Sequence, residues 1–186
     1  IWITNVDSKE NIQYTFNLKS SSSPKFSPDG KKVAFLSSRT GKNQIWIINT
    51  SGGEAKNITD EKKGVRSIKW SPDGKSISFL KNDDDTEDEI KSKENKTDVI
   101  LVDKNFKYSH IYSYSLVEDT VTQITRGNFS VNSYDYSPEG NKIVFSHQDD
   151  TNINTGFVNS DISVIESDGS NLKRLIKRPG IDSSPI

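Results

Sequence analysis

Ser27-Pro28-Asp29-Gly30-Lys31-Lys32-Val33-Ala34-Phe35 returns as Ser71-Pro72-Asp73-Gly74-Lys75-Ser76-Ile77-Ser78-Phe79, and again as Ser137-Pro138-Glu139-Gly140-Asn141-Lys142-Ile143-Val144-Phe145. An aromatic residue precedes each copy: Phe26, Trp70 and Tyr136. Proline fixes φ at the second position of a turn, an acidic residue follows, and glycine supplies the left-handed conformation that leads back into a strand. Each copy therefore reads as a hairpin turn, built on Pro28, Asp29 and Gly30, on Pro72, Asp73 and Gly74, and on Pro138, Glu139 and Gly140. Behind each turn the apolar positions alternate (Val33 and Phe35, Ile77 and Phe79, Ile143 and Phe145), the period of a strand with one buried face.

Further strands repeat around these hairpins. The third of each unit reads Gln44-Ile45-Trp46-Ile47-Ile48, His110-Ile111-Tyr112-Ser113-Tyr114 or Asp161-Ile162-Ser163-Val164-Ile165, and Trp2-Ile3 fits the same slot. The fourth is expected at Asn57-Ile58-Thr59, Gln123-Ile124-Thr125 and Arg174-Leu175-Ile176, with Phe16-Asn17-Leu18 placed there too. The repeat serines stand at 27, 71 and 137, so the spacing is 44 and then 66. That is a period of about 44 residues with an insertion of about 22, the size of a four-stranded propeller blade. The expected fold is all-β, a partial β-propeller of four-stranded antiparallel blades, about four of them counting incomplete ones. Residues 1–18 are expected to supply the last two strands of a partial blade, and 19–60 a blade. A blade at 61–126 carries the insertion at about 82–108, 127–177 forms another, and 178–186 begins a further one. Both ends read as cuts inside a larger propeller.

Composition narrows the function classes. Hydrophobic residues make up 31% of the 186 and mean hydropathy is -0.72, yet short β-branched and aromatic runs recur throughout, as folding requires. Twenty-five basic residues face 26 acidic ones, a net charge of -1, so neither a nucleic-acid footprint nor a polybasic membrane surface is expected. The absence of cysteine excludes disulfides and thiolate-bound zinc, and leaves both a reducing and an oxidising compartment open.

The Pro-Asp repeat resembles the propeller domains of the prolyl-oligopeptidase superfamily and of the periplasmic Tol system. The acidic insertion, then Thr97-Asp98-Val99-Ile100-Leu101-Val102-Asp103 and Phe106-Lys107-Tyr108, is similar in order to the acylaminoacyl-peptidase and dipeptidyl-peptidase-like branch. So is the run Asn159-Ser160-Asp161-Ile162, Ser167-Asp168-Gly169 and Pro179-Gly180-Ile181-Asp182-Ser183-Ser184-Pro185. The resemblance implies a propeller that gates and positions short peptide substrates over an α/β-hydrolase domain of the parent chain. No Gly-x-Ser-x-Gly nucleophile elbow is present, and Gly180-Ile181-Asp182-Ser183 fails at its third position, so no catalytic residue is assigned here. A Tol-like protein-interaction propeller is the alternative, and a propeller lyase or metal enzyme the second alternative.

No cofactor and no metal ligand set is expected. His110 and His147 are the only histidines and neither has ligand spacing; His110 is placed at a strand edge and His147 at a strand exit. The acidic run Asn82-Asp83-Asp84-Asp85-Thr86-Glu87-Asp88-Glu89 lacks the glycine and the spacing of a calcium loop and reads as a solvated loop, offset by Lys91, Lys93 and Lys96. Val99 to Val102 is apolar enough for a role at a substrate cavity or domain contact. Trp46, Trp70 and Phe35 are expected to pack blade on blade. Self-association of the chain through open strand edges is a further expectation.

Overall fold

The computed structural model describes residues 1–16, 19–95, 107–149, 159–178 and 180–185. It contains fifteen short strands and one helix among these residues. In chain order the strands are β1 (Trp2–Thr4), β2 (Asn11–Gln13), β3 (Ser21–Phe26), β4 (Lys32–Ser37), β5 (Gln44–Asn49), β6 (Lys56–Asn57), β7 (Arg66–Trp70) and β8 (Ser76–Asn82). Helix α1 (Glu87–Glu94) follows, then β9 (Ser109–Ser115), β10 (Thr120–Gln123), β11 (Ser130–Tyr136), β12 (Lys142–Gln148), β13 (Asn159–Glu166), β14 (Lys173–Ile176) and β15 (Gly180–Ile181). Consecutive strands pair antiparallel into sheets ordered β3-β4-β5-β6, β7-β8-β9-β10 and β11-β12-β13-β14, with β1-β2 as a two-stranded sheet. This is a partial β-propeller of four-stranded blades, nearly all-β.

The Ser-Pro-Asp-Gly segments are the turns between the first and second strands of the three sheets. Gly30, Gly74 and Gly140 take φ of 70°, 69° and 75°, where a Cβ is strained. In the first two turns the serine hydroxyl donates to the aspartate (Ser27 Oγ to Asp29 Oδ1 and Ser71 Oγ to Asp73 Oδ1, both 2.6 Å) and accepts the N–H of Lys32 at 2.9 Å or Ser76 at 3.0 Å. Glu139 replaces the aspartate in the third turn, and the Ser137 hydroxyl donates to Asn141 Oδ1 instead, at 3.0 Å. The ladders that follow are in register, with Phe35 opposite Trp46 and Phe145 opposite Ser163.

The chain divides into two compact units: Ile1–Leu80 with Tyr112–Thr122, and Lys81–Ile111 with Gln123–Ile186. The first has a core of Ala34, Leu36, Ile45, Ile47, Val65, Ile68, Ile77, Phe79 and Tyr114, joined by Trp70 and Tyr112 at its border. A second cluster of Val33, Phe35 and Ile48 packs against Ile1, Ile3, Tyr14 and Trp46. These are the alternating positions of the strands, so the period-2 pattern becomes the interior. The second unit buries Ile111, Ile124, Phe129, Val131, Tyr134, Ile143, Phe145, Ile162 and Ile165.

A threonine closes the fourth strand of two blades. Thr59 Oγ1 accepts the Ile45 N–H and Thr125 Oγ1 the Ile111 N–H, both at 2.9 Å, and both threonines are buried. Thr15 takes the N-terminal amino group of Ile1 in the corresponding place. That register corrects the strand expected at Phe16-Asn17-Leu18. The strand is β2, because Tyr14 N–H bonds to Ile1 O at 3.0 Å just as Ile58 N–H bonds to Ile45 O at 2.9 Å. Phe16 follows the strand and is exposed, and residues 17 and 18 lie outside the described residues.

The acidic run is also corrected. It ends β8 and then forms the N-terminus of α1, where Thr86 caps the helix with its side chain and Glu89 Oε2 accepts the Thr86 N–H at 2.7 Å. Glu87, Asp88 and Glu89 occupy the first turn and Lys91 and Lys93 the last, the charge order that the helix dipole favours. Residues 97–103, including Val99 to Val102, lie outside the described residues.

Candidate functional site

In each of the three blades one end is constant and the other varies. At the turn end the serine, proline and glycine recur. At the opposite end, where the second strand finishes and the third begins, the sheets bury polar side chains: Ser37 and Gln44, then Lys81, Ser109 and His110, then Ser146, His147 and Ser160. The repeat fixes how these positions correspond. Phe35, Phe79 and Phe145 are equivalent; two residues on stand Ser37, Lys81 and His147, and four residues on stand Arg39, Asp83 and Asp149. Two residues before Trp46, Tyr112 and Ser163 stand Gln44, His110 and Asp161. One scaffold thus presents a different set of polar groups in each blade.

The densest set lies in the second unit, around Phe129. His110 and His147 flank its ring with centroid separations of 5.4 and 5.0 Å, and Phe145 stacks on it at 5.9 Å. Tyr108 lies near His110, with ring centroids 6.4 Å apart. Both histidines are almost fully buried, 3% and 2% exposed; His110 is the second residue of β9, and His147, next to last in β12, stands at the exit of its strand. Period-2 alternation places His147 on the face of Phe145 and His110 on the face of Tyr112; that signal, present in the sequence, locates both histidines in the interior.

Each imidazole has defined partners. His110 Nδ1 lies 3.2 Å from Thr125 Oγ1, which also accepts the Ile111 N–H, and Nε2 stands 4.0 Å from Asp83 Oδ1. Asp83 in turn accepts the Tyr108 N–H at 3.0 Å. His147 Nε2 is 2.8 Å from Ser163 Oγ. Its Nδ1 faces Asp149 Oδ1 at 3.3 Å, off the line of a hydrogen bond. Arg174 holds both oxygens of Asp149 through Nη2 at 2.8 Å and Asp161 Oδ2 through Nη1 at 3.0 Å. Burial is the largest influence on both imidazoles and holds them below the usual histidine range, against the pull of Asp83 on one and of Asp149 and Asp161 on the other. Both are neutral at pH 7.

Ser163, His147 and Asp149 stand in the contact order of a hydrolytic triad, but the hydroxyl is not a nucleophile. Ser163 is 2% exposed on the central strand β13, opposite Phe145, where no substrate carbonyl reaches it. What the arrangement does chemically is fix two neutral rings, one from each of two sheets, and a bridged Asp149-Arg174-Asp161 network beside one of them. Among the described residues no group of three or more His, Asp or Glu side chains is placed to hold a metal ion.

The turn residues are not brought into this cluster; each set lies in its own hairpin, and in the first unit Gly74 sits beside the Pro28 ring, with its Cβ position 3.6 Å from Pro28 Cδ. Asp29 and Asp73 are held below the usual carboxylate range, first by the Ser27 or Ser71 hydroxyl and then by the N–H of Lys31 or Lys75. Phe35 is fully buried, Trp46 is half-buried against the Val33 cluster, and Trp70 donates from Nε1 to Lys25 O at 3.0 Å.

A profile described as the TolB beta propeller domain matches residues 1–107. No curated protein is matched by the sequence. Among solved structures, the chain is similar to TolB from Acinetobacter baumannii (TM-score 0.64, 20% identity, 98% of this chain and 38% of that one). It is similar to an acylaminoacyl peptidase solved with Z-Gly-Gly-Phe-chloromethyl ketone (TM-score 0.62, 22% identity, 98% and 29%). It is also similar to an oligogalacturonate lyase from Vibrio parahaemolyticus (TM-score 0.59, 11% identity, 94% and 46%). The chain thus spans less than half the length of each of these three structures, and the likeness is one of fold.

Proposed function

The chain belongs to the TolB β-propeller domain family, and from that premise we propose that it is a non-catalytic propeller segment of a serine peptidase of the prolyl-oligopeptidase superfamily. In that setting it gates and positions short peptides over an α/β-hydrolase domain of the parent protein, acting on reactivity through orientation. The observation that carries this reading is the division of each blade into a constant turn end and a variable, buried polar end. Arg39, Asp83 and Asp149 stand at equivalent places, none of them buried, and change the charge offered to a ligand from blade to blade. Recognition of a polar chain such as a peptide gives that variation a purpose. The similarity to acylaminoacyl peptidase supports the choice of parent through fold.

The test is made on the parent protein. Its reading frame is expected to continue into a hydrolase domain with a Gly-x-Ser-x-Gly elbow. Deleting the propeller is expected to let long peptides compete with short ones; unchanged size selection in the deletion refutes gating. A protein-interaction propeller is favoured by a different observation, the match to the TolB profile and to a TolB structure at TM-score 0.64. That reading predicts a protein partner retained by the intact parent and a reading frame without a hydrolase domain. Self-association is proposed through the exposed apolar side chains of the first unit, Trp2 and Phe16 at 62% and 77% exposure, with mass by light scattering rising with concentration.

A further inference from the structure

Arg39 departs from its counterparts. At the equivalent positions Asp83 accepts the Tyr108 N–H at 3.0 Å and Asp149 is held by Arg174 at 2.8 Å. Arg39 pairs with no carboxylate among the described residues. Its flat guanidinium instead lies over two aromatic rings that are cross-strand neighbours, with Cζ 4.6 Å from the Trp46 centroid and 5.3 Å from that of Phe35. Stacking of this kind restrains the side chain, so little rotamer freedom is left to lose when a ligand engages the edge. The edge is nearly unused: Nη2 makes one long contact, 3.5 Å to Ser21 Oγ, and Nε is buried without a partner. Trp46 Nε1 is a second buried N–H without a partner beside it. Buried donors of this kind are rare because each forfeits a hydrogen bond. The residue is half-buried, and burial lowers its basicity, which marks a cation that the fold desolvates and does not neutralise.

We propose that Arg39, held on Trp46 and Phe35 at the polar end of the first blade, is a binding site for a carboxylate group, received across the guanidinium edge next to Ser21. The planar fork of Arg39 matches the two oxygens of a carboxylate, which is the geometry that gives such pairs their strength. The site goes beyond the gating reading and does not depend on it, because a carboxylate is carried equally by a peptide terminus and by an acidic side chain of a protein partner.

The experiment is an NMR titration of the chain, following the Arg39 Nε–H and Trp46 Nε1–H resonances. Acetate is expected to move both in a saturable manner, with half-saturation on the order of millimolar, while acetamide leaves them in place. Chloride at matched ionic strength is expected to act at least about tenfold more weakly, because a monatomic ion cannot span both N–H groups of the fork. In Arg39→Gln the Trp46 resonance is expected to stop responding. Arg39→Lys, which keeps the charge and loses the fork, is expected to weaken acetate about tenfold and serves if the glutamine variant fails to fold. A non-saturating shift, an equal response to chloride, or an unchanged response in either variant overturns the proposal.

Discussion

Ser71 makes one hydroxyl serve three groups: it donates to Asp73 Oδ1 at 2.6 Å, lies 3.1 Å from Ser76 O, and accepts the Ser76 N–H at 3.0 Å. Replacement by alanine leaves the Ser76 N–H and the aspartate to water. Ser71→Ala is therefore expected to lower stability by about 1–2 kcal/mol, measured by urea denaturation; a loss below a few tenths shows that the turn is held by Pro72 and Gly74 alone. Gly169 presents a different constraint. Its φ is 90°, and a Cβ there meets Ile124 O at 2.8 Å, a backbone atom that cannot swing aside. Strain and contact add, so Gly169→Ala is expected to cost about 2–4 kcal/mol in the same assay. An alanine variant with an unchanged urea midpoint rules out that close approach.

Thr59 and Thr125 occupy one place in their blades, but their networks differ. Thr59 accepts the Ile45 N–H and donates to Gln44 Oε1 at 2.8 Å, and that oxygen also receives the Glu61 N–H at 3.0 Å. Thr125 accepts the Ile111 N–H and faces His110 Nδ1 at 3.2 Å. Valine keeps the shape of threonine and removes the hydroxyl. Thr125→Val then strands two buried groups and Thr59→Val one, at about 1–3 kcal/mol for each buried group left unpaired. The larger loss is expected for Thr125→Val; equal losses refute the accounting. The blades themselves were legible because Ser-Pro-Asp-Gly and the alternation behind it are local signals, each sufficient for a hairpin. The strand that pairs with β1 falls at Asn11–Gln13, not at Phe16-Asn17-Leu18, because those residues mimic its apolar pattern while the register is set by Thr15, fourteen residues from Ile1. Helix α1 carried a readable capping box, Thr86 and Glu89, hidden inside a charge run whose composition suggested a loop. The histidine cluster depends on contacts between residues as distant in sequence as His110, Phe129 and His147, and only the period-2 position of each histidine foreshadowed its burial.

Across the molecule, the buried histidines make the second unit sensitive to mild acid. Both imidazoles are held below the ordinary value of 6.5 in the fold, chiefly by burial, while the unfolded chain titrates near that value. As pH falls through 6.5 the unfolded state takes up protons that the folded state refuses, so stability declines on acidification and stops declining only below the folded-state pKa values. The groups facing the rings shape the response without reversing it. Asp83 favours protonation of His110 and Arg126 opposes it; Asp149 and Asp161 favour protonation of His147 and Arg174 opposes it. The depressed Asp29 and Asp73 act in a separate window, since their stabilisation is complete above the ordinary value of 3.8 and is lost only as pH falls below it. Between pH 7 and pH 5, hydrogen exchange is expected to accelerate beyond its intrinsic pH dependence in Lys81–Ile111 and Gln123–Ile186, which hold both histidines, and not in Ile1–Leu80. His110→Gln combined with His147→Gln is expected to remove most of that dependence, because an amide in either place binds no proton. A double variant that keeps the full acid response assigns it to other groups, and a response shared equally by both units refutes its origin around Phe129.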